Sequence, residues 1–263
     1  MIKAKKSLGQ HWLKDEAVLE TICEAANLTK ADTVLEIGPG LGDLTRQLVK
    51  RADRVIAVEK DDELAGALAK KISAGNLKVH QTDILQFDLT DLPTAYKVVA
   101  NIPYYLTSKL LRILSESANP PLDIVLLVQK EVAERIAAGP GQMSLLAVSI
   151  QLYYQPKLGP VVAARLFEPP PKVDSRVIAL TRRPKPLFED LDSKLFFRIV
   201  KAGFSGRRKK LRGSLSAGLH LSKDQADRLL KLAGIDGSLR AQNLSLQDWH
   251  KLYKACKSNK IKT

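Results

Sequence analysis

The chain has 263 residues, of which 45% are hydrophobic and 27% charged, with two cysteines and a formal charge of +14. That is ordinary globular composition, long enough for one large domain and a small one, and it excludes a disulfide-stapled miniprotein. No apolar run approaches the roughly 18 residues that a membrane-spanning helix needs. The charge is unevenly placed: residues 182–263 hold 20 basic and 7 acidic side chains, whereas the first 181 hold 22 and 21. Such asymmetry points to a polyanion, with nucleic acid ahead of an anionic membrane, since no amphipathic helix with large exposed apolars stands out.

From the start of the chain, Met1-Ile2-Lys3-Ala4-Lys5-Lys6 is basic but no apolar stretch follows, so a secretory signal is not expected. Short β-rich runs then recur at Thr33–Ile37, Arg54–Val58, Leu77–Gln81, Lys97–Ala100 and Asp123–Val128. Between them lie helical faces such as Leu44, Leu48 and Val49, and Leu64, Leu68 and Ile72. This alternation predicts a doubly wound, mostly parallel sheet. A helix over Glu131–Ala138, a Gly-Pro-Gly break at 139–141 and a helix over Ser144–Gln151 follow. Two strands near Tyr153–Val162 and Val177–Thr181 have no helix between them and are expected to pair antiparallel, which brings the count to seven. Arg182-Arg183-Pro184-Lys185-Pro186 reads as a linker. Beyond it, helices are expected over Ser193–Gly203, Leu211–Leu219, Lys223–Ala233 and Ser245–Lys257. Ser222 and Ser245 suit N-caps, and Gly218 and Gly234 suit helix ends. The predicted organisation is an α/β domain at 1–183 and a small, basic, all-helical domain at 187–263.

Candidate chemistry gathers at the ends of the first four strands. Gly38-Pro39-Gly40-Leu41-Gly42 is a turn between a strand and a helix, and glycines there let the backbone approach a ligand closely. The dinucleotide fingerprint would need Gly where Asp43 stands, so a ligand without a pyrophosphate is favoured. Glu59 follows the second strand, placed to accept hydrogen bonds from both hydroxyls of a ribose. Asp83 follows the third, placed to accept from an adenine amino group. Each acid alone could be a helix N-cap; two at successive strand ends beside a glycine loop suggest more.

The fourth strand runs into Asn101-Ile102-Pro103-Tyr104. An adenine amino nitrogen is a poor nucleophile because its lone pair is delocalised into the ring. A site that accepts both its N–H bonds draws it towards tetrahedral geometry. The Asn101 amide oxygen is one acceptor. The carbonyl of Ile102, kept extended by Pro103, is the second. Tyr104 can stack on the base, an interaction worth about 1–3 kcal/mol. No strong general base is required, so orientation and electrostatics would carry catalysis.

The glycine loop, Glu59, Asp83 and the Asn101–Tyr104 quartet resemble those of class I S-adenosylmethionine-dependent N6-adenine methyltransferases. Three further stretches narrow the resemblance to the ribosomal RNA adenine dimethylases. They are Lys6-Ser7-Leu8-Gly9-Gln10-His11-Trp12-Leu13, Phe167-Glu168-Pro169-Pro170-Pro171-Lys172-Val173-Asp174-Ser175, and the C-terminal pair Phe204–Leu211 and Arg240–Ser245. The resemblance implies a Rossmann-like seven-stranded methyltransferase domain, with S-adenosylmethionine as donor and no metal. It implies that His11 and Leu13 contact the cofactor along with Gly38, Gly40, Glu59, Asp83 and Asn101, and that Phe167 is a second aromatic near the target base. His11 stands where some members have Asn, and Trp12 where many have Phe. Without the resemblance, His11 reads as a surface residue and Phe167 as core.

The implied target is two adjacent adenosines in a hairpin near the 3′ end of small-subunit (16S) rRNA, each dimethylated, in a pre-30S particle. Such loop bases can be splayed into a pocket. Arg207, Arg208, Lys209, Lys210 and Arg212 would grip phosphates. The protein is expected to be a cytoplasmic monomer, with Cys23 and Cys256 as reduced thiols. The competing readings are a large-subunit rRNA methyltransferase, an assembly factor that binds rRNA without needing catalysis, and a DNA adenine methyltransferase.

Overall fold

The computed structural model describes residues 4–5, 9–185, 187–206 and 208–259. The chain divides into two compact units, residues 1–134 with 154–182, and residues 135–153 with 183–263.

The first unit is a seven-stranded sheet. Its strands are β1 (Thr33–Ile37), β2 (Arg54–Glu59), β3 (Leu77–Gln81), β4 (Lys97–Asn101), β5 (Asp123–Gln129), β6 (Tyr154–Val162) and β7 (Ser175–Arg182). Their order is β3-β2-β1-β4-β5-β7-β6. The first five pair in parallel, and β7 runs antiparallel between β5 and β6. The expected seven strands and the antiparallel closing pair are thus present. The central strands are covered on both faces and so are mostly apolar; the edge strand β3 has no buried residue.

Helices cover the sheet. In this unit they are α1 (Glu16–Ala25), α2 (Asp43–Arg51), α3 (Asp62–Lys71) and α4 (Thr107–Glu116). Leu44 and Leu48 of α2, and Leu64 and Leu68 of α3, are buried at the helical spacing that the sequence shows. Asp61 caps α3 by accepting from the amides of Glu63 and Leu64. The strand order reverses between β1 and β4, and ligands of open α/β sheets settle at the carboxyl ends of strands flanking such a switch.

One pairing has no counterpart in the sequence reading. Trp12–Leu13 and Phe167–Glu168 form a two-residue antiparallel ladder. It joins two of the stretches that carry the resemblance, although more than 150 positions separate them.

The second unit contains α6 (Leu145–Gln151), α7 (Ser193–Phe204), α8 (Leu211–Gly218), α9 (Lys223–Leu232) and α10 (Leu246–Ser258). The short α5 (Lys130–Ile136) spans the boundary between the units. The core of the second unit gathers around Phe196, Leu215, Leu229, Trp249 and Tyr253. Ser222 and Ser245 cap α9 and α10 with complete capping boxes, as expected. One expectation changes. The sequence groups segment 135–153 with the sheet domain, but Met143, Ala147, Val148 and Leu152 bury their apolar faces in this helical core. Gly218 ends α8, but the left-handed residue there is His220 (φ 56°). A Cβ at Gly218 would lie 2.6 Å from Ala202, so glycine is needed at that position for close packing.

Candidate active site

The ends of β1 to β4 surround one cavity. Gly38, Glu59, Asp83 and Asn101 line it, along with Gly40, His11, Leu13, Ile102, Pro103 and Tyr104. Parallel register brings them together: Ile37 pairs with Val58, Glu59 with Gln81, and Asn101 with Leu127.

The glycine loop turns through three left-handed residues, Gly38 (φ 67°), Gly40 (φ 57°) and Gly42 (φ 84°). At Gly40 a side chain would meet the Trp12 ring at 3.2 Å. At Gly42 it would lie 2.5 Å from Leu68 and 2.9 Å from Ile72, so only glycine lets α2 start this close to α3.

Glu59 is buried, and its carboxylate accepts from the amides of Gly40 (3.1 Å) and Asp61 (2.9 Å). Burial pushes its carboxyl up, and these amides partly offset the shift. Asp83 accepts from the Leu85 amide (3.0 Å) and from Lys60 Nζ (2.9 Å). Burial opposes its ionisation, but these two donors outweigh it and hold the carboxyl below its usual range. Ile84 and Ile102 supply buried apolar surface to the cavity.

Asn101 Nδ2 donates to the His11 carbonyl at 3.2 Å. That carbonyl can only accept, so the amide is oriented with Oδ1 as its remaining pole. Pro103 (φ −56°, ψ 133°) leads into a single 3₁₀ turn at Tyr104–Leu106. The Tyr104 hydroxyl shares a 2.7 Å hydrogen bond with Ser175, and burial pushes its phenol up, so it stays protonated. The His11 ring stacks near Tyr104, with centroids 5.9 Å apart and planes 20° apart, and His11 Nδ1 donates to the Pro169 carbonyl at 2.7 Å. His11 is therefore part of the wall rather than an isolated surface residue.

Phe167 is placed differently. It is 4% exposed, lies opposite Leu13 in the short ladder and packs in the apolar core with Leu13 and Leu19. Leu13 lines the cavity and Phe167 does not.

The family model for ribosomal RNA adenine dimethylases matches residues 1–258. A ribosomal RNA small subunit methyltransferase A of Dehalococcoides mccartyi is 44% identical over 255 residues, covering 95% of this chain and 88% of its own. One from Streptococcus equi is 41% identical, covering 96% and 92%. Among solved structures, a dimethyladenosine transferase from Plasmodium falciparum superimposes with a TM-score of 0.82 at 27% identity, covering 94% of this chain and 98% of its own. The 23S rRNA methyltransferase ErmE gives 0.76 at 29% identity, covering 94% and 99%.

The chain belongs to the ribosomal RNA adenine dimethylase family.

In this dimethylase the sequence reading passed over a buried acid of the cavity. Glu36 precedes Ile37 in β1, lines the cavity and is 1% exposed. Neither of its carboxylate oxygens has a hydrogen-bond partner among the described residues. The signal in the sequence was a lone acid inside the apolar run Val34-Leu35-Glu36-Ile37.

The basic cluster of the dimethylase lies in its second unit. Arg208, Lys209 and Lys210 are exposed at the start of α8, and Arg212 is engaged with Asp227 at 3.2 Å. Arg207 lies outside the described residues. The first amides of α8 are taken by the carbonyls of Leu239 and Gly237, so an anion there would meet side chains rather than backbone.

Proposed function

We propose that the protein transfers methyl groups from S-adenosylmethionine to N6 of two adjacent adenosines in a hairpin near the 3′ end of 16S rRNA, dimethylating each. The observation that carries this reading is the Asn101 amide, which is oriented by the His11 carbonyl with Oδ1 left to accept, beside Tyr104 in a shared cavity.

The cavity suits the donor by its chemistry. Glu59 retains lone pairs for a pair of hydroxyls, Asp83 is an anionic acceptor for an amino group, and Glu36 is a buried acid without a partner among the described residues. S-adenosylmethionine, when bound, supplies an electrophilic methyl on a sulfonium. The residues of the chain do the rest. Asn101 Oδ1 and the Ile102 carbonyl would accept the N–H bonds of the target amine, two in the first transfer and one in the second, and orient its lone pair. Tyr104 holds the base by stacking. The donor would supply the methyl carbon and take the electron pair of its C–S bond back to sulfur, and the amine held by Asn101 and Ile102 would give up one proton to solvent for each C–N bond formed. Phe167 braces Leu13 from the core side, and the aromatic role implied for it at the base would require it to move into the cavity.

The partner is small-subunit rRNA within a pre-30S particle, and Arg207, Arg208, Lys209, Lys210 and Arg212 bind phosphates. On this reading the protein acts as a cytoplasmic monomer. Cys23 and Cys256 are both buried free thiols, and no helix among the described residues is long and apolar enough to cross a membrane.

Nucleoside mass spectrometry tests the proposal. Unmethylated small subunits incubated with the protein and S-adenosylmethionine are expected to yield N6,N6-dimethyladenosine, and the Asn101→Ala variant is expected to yield none. Binding to the subunit with no methylated adenosine would favour the assembly-factor reading instead.

A further inference from the structure

Ser175 is the last residue of the stretch Phe167–Ser175 and the first of β7. It is fully buried and does not line the cavity, yet its hydroxyl bonds to Tyr104, which does. Its main chain is fixed on both sides, because Ser175 pairs with Gln129 of β5 and with Val162 of β6. One residue earlier, the Asp174 carbonyl accepts from the Lys130 amide (3.0 Å) and the Asp174 carboxylate from the Ala164 amide (2.9 Å). The sheet thus holds the Ser175 hydroxyl at a fixed point.

Tyr104 is held less firmly by its own element. It begins a single 3₁₀ turn, and the Thr107 hydroxyl donates to its carbonyl at 3.1 Å. These bonds fix the main chain and leave the side chain free to change rotamer about χ1. The phenol oxygen lies at the far end of the ring, on the axis about which the ring turns. A hydrogen bond there stops the swing of the ring but does not set its plane. A second restraint lies beside it: the His11 ring is 20° from parallel to the Tyr104 ring, and His11 Nδ1 is tied to the Pro169 carbonyl. Both restraints lead back to Phe167–Ser175, one directly and one through His11. The Tyr104 hydroxyl is a handle here and not an acid–base group, since burial pushes its phenol up. We infer that Ser175 is a positioning residue for the target base, holding the Tyr104 ring where it stacks on the adenine whose amine faces Asn101. A ring released from Ser175 would still offer a stacking face, but it would present that face correctly for a smaller share of the time. The inference rests on the methyl-transfer reading and adds to that reaction a residue from outside the cavity.

Two variants delete the same bond from opposite ends. Ser175→Ala removes one hydroxyl; Tyr104→Phe removes the other and keeps the stacking ring. Single-turnover transfer to unmethylated small subunits, at saturating S-adenosylmethionine, is measured for each and for the double variant. Each single variant is expected to slow transfer about 5- to 10-fold, with the dissociation constant for S-adenosylmethionine unchanged. The double variant should be no slower than the slower single, because both changes remove one interaction. Stability should follow a different pattern. Tyr104→Phe leaves the Ser175 hydroxyl buried without this partner and should lower the denaturation midpoint, whereas the double variant removes that hydroxyl and should recover part of the loss. Transfer that stays low while stability recovers is the result that positioning requires. Transfer that recovers together with stability would assign the bond to the fold alone and overturn the inference. Wild-type transfer in Tyr104→Phe would overturn it too, whether or not Ser175→Ala folds. A wild-type protein that binds the donor and transfers nothing would overturn the methyl-transfer reading itself.

Discussion

The side-chain amide of Asn101 is held by the main-chain carbonyl of His11 at 3.2 Å. The partner is an acceptor, so the amide nitrogen must face it and the amide oxygen is left for the ligand. A residue near the start of the chain thus sets the polarity of a group at the end of β4.

Asn101→Ala removes an acceptor that matters most as the amine becomes tetrahedral. Losing one preorganised polar group of this kind costs about 10²–10³-fold in rate. Methyl transfer should therefore fall at least that far, while the dissociation constant for S-adenosylmethionine changes little. Single-turnover transfer and equilibrium binding, measured on the same preparation, check both halves. Transfer at near wild-type rate would remove Asn101 from the mechanism.

Gly42→Ala tests the packing of the glycine loop separately from its approach to the ligand. The new methyl would lie 2.5 Å from Leu68 and 2.9 Å from Ile72, at a backbone φ of 84°. Strain and overpacking together should cost about 2–4 kcal/mol. Gly66→Ala, inside α3 with nothing within 4 Å, is the control and should gain about 0.5–1 kcal/mol. Chemical denaturation of the two variants should move in opposite directions from the wild type.

The sequence discloses most clearly what is local. Short β-rich runs stand out between helical faces, so all seven strands could be placed within a residue or two, and the acids at or just past the ends of β2 and β3 and the quartet that begins at the end of β4 came with them. The ladder between Trp12–Leu13 and Phe167–Glu168 could not be found this way, because a pairing of two residues across such a separation leaves no periodicity. Without it, the packing of Phe167 against Leu13 was also out of reach. Position in the chain places segment 135–153 with the sheet, and an apolar helix face does not say which core it joins. Glu36 was hidden by its neighbours: within an apolar strand, a lone acid looks like any tolerated exception until its burial is known.

The basic cluster should act through phosphates. Neutralising Arg208, Lys209 and Lys210, exposed at the start of α8, should weaken binding to small-subunit RNA at low salt. It should also flatten the plot of log affinity against log salt concentration by about 0.7–0.9 for each phosphate that the protein no longer neutralises. Arg212→Ala alone should do less, because Arg212 is already paired with Asp227. Filter binding across a salt series measures these slopes, and an unchanged slope in the triple variant would place the RNA surface elsewhere.

Glu36 also predicts how stability varies with pH when no ligand is present. Its carboxyl lies at about 8 in the folded chain against a reference value of 4.5. Between those values the folded state holds a proton that the unfolded state has lost. Stability from this group is therefore full at low pH and drains away as pH rises from about 4.5 towards 8. Asp83 and Asp32, held below their usual range, contribute in the opposite sense, since their stabilisation is lost as acid protonates them. Those contributions are common to the wild type and to Glu36→Gln, so the comparison isolates Glu36. The variant should gain stability relative to the wild type between pH 5 and pH 8, and the gain should stop growing above that. Denaturation midpoints at pH 5, 7 and 8.5 suffice. A difference constant across that range would mean that Glu36 is already ionised in the fold, with a countercharge beside it in the ligand-free protein.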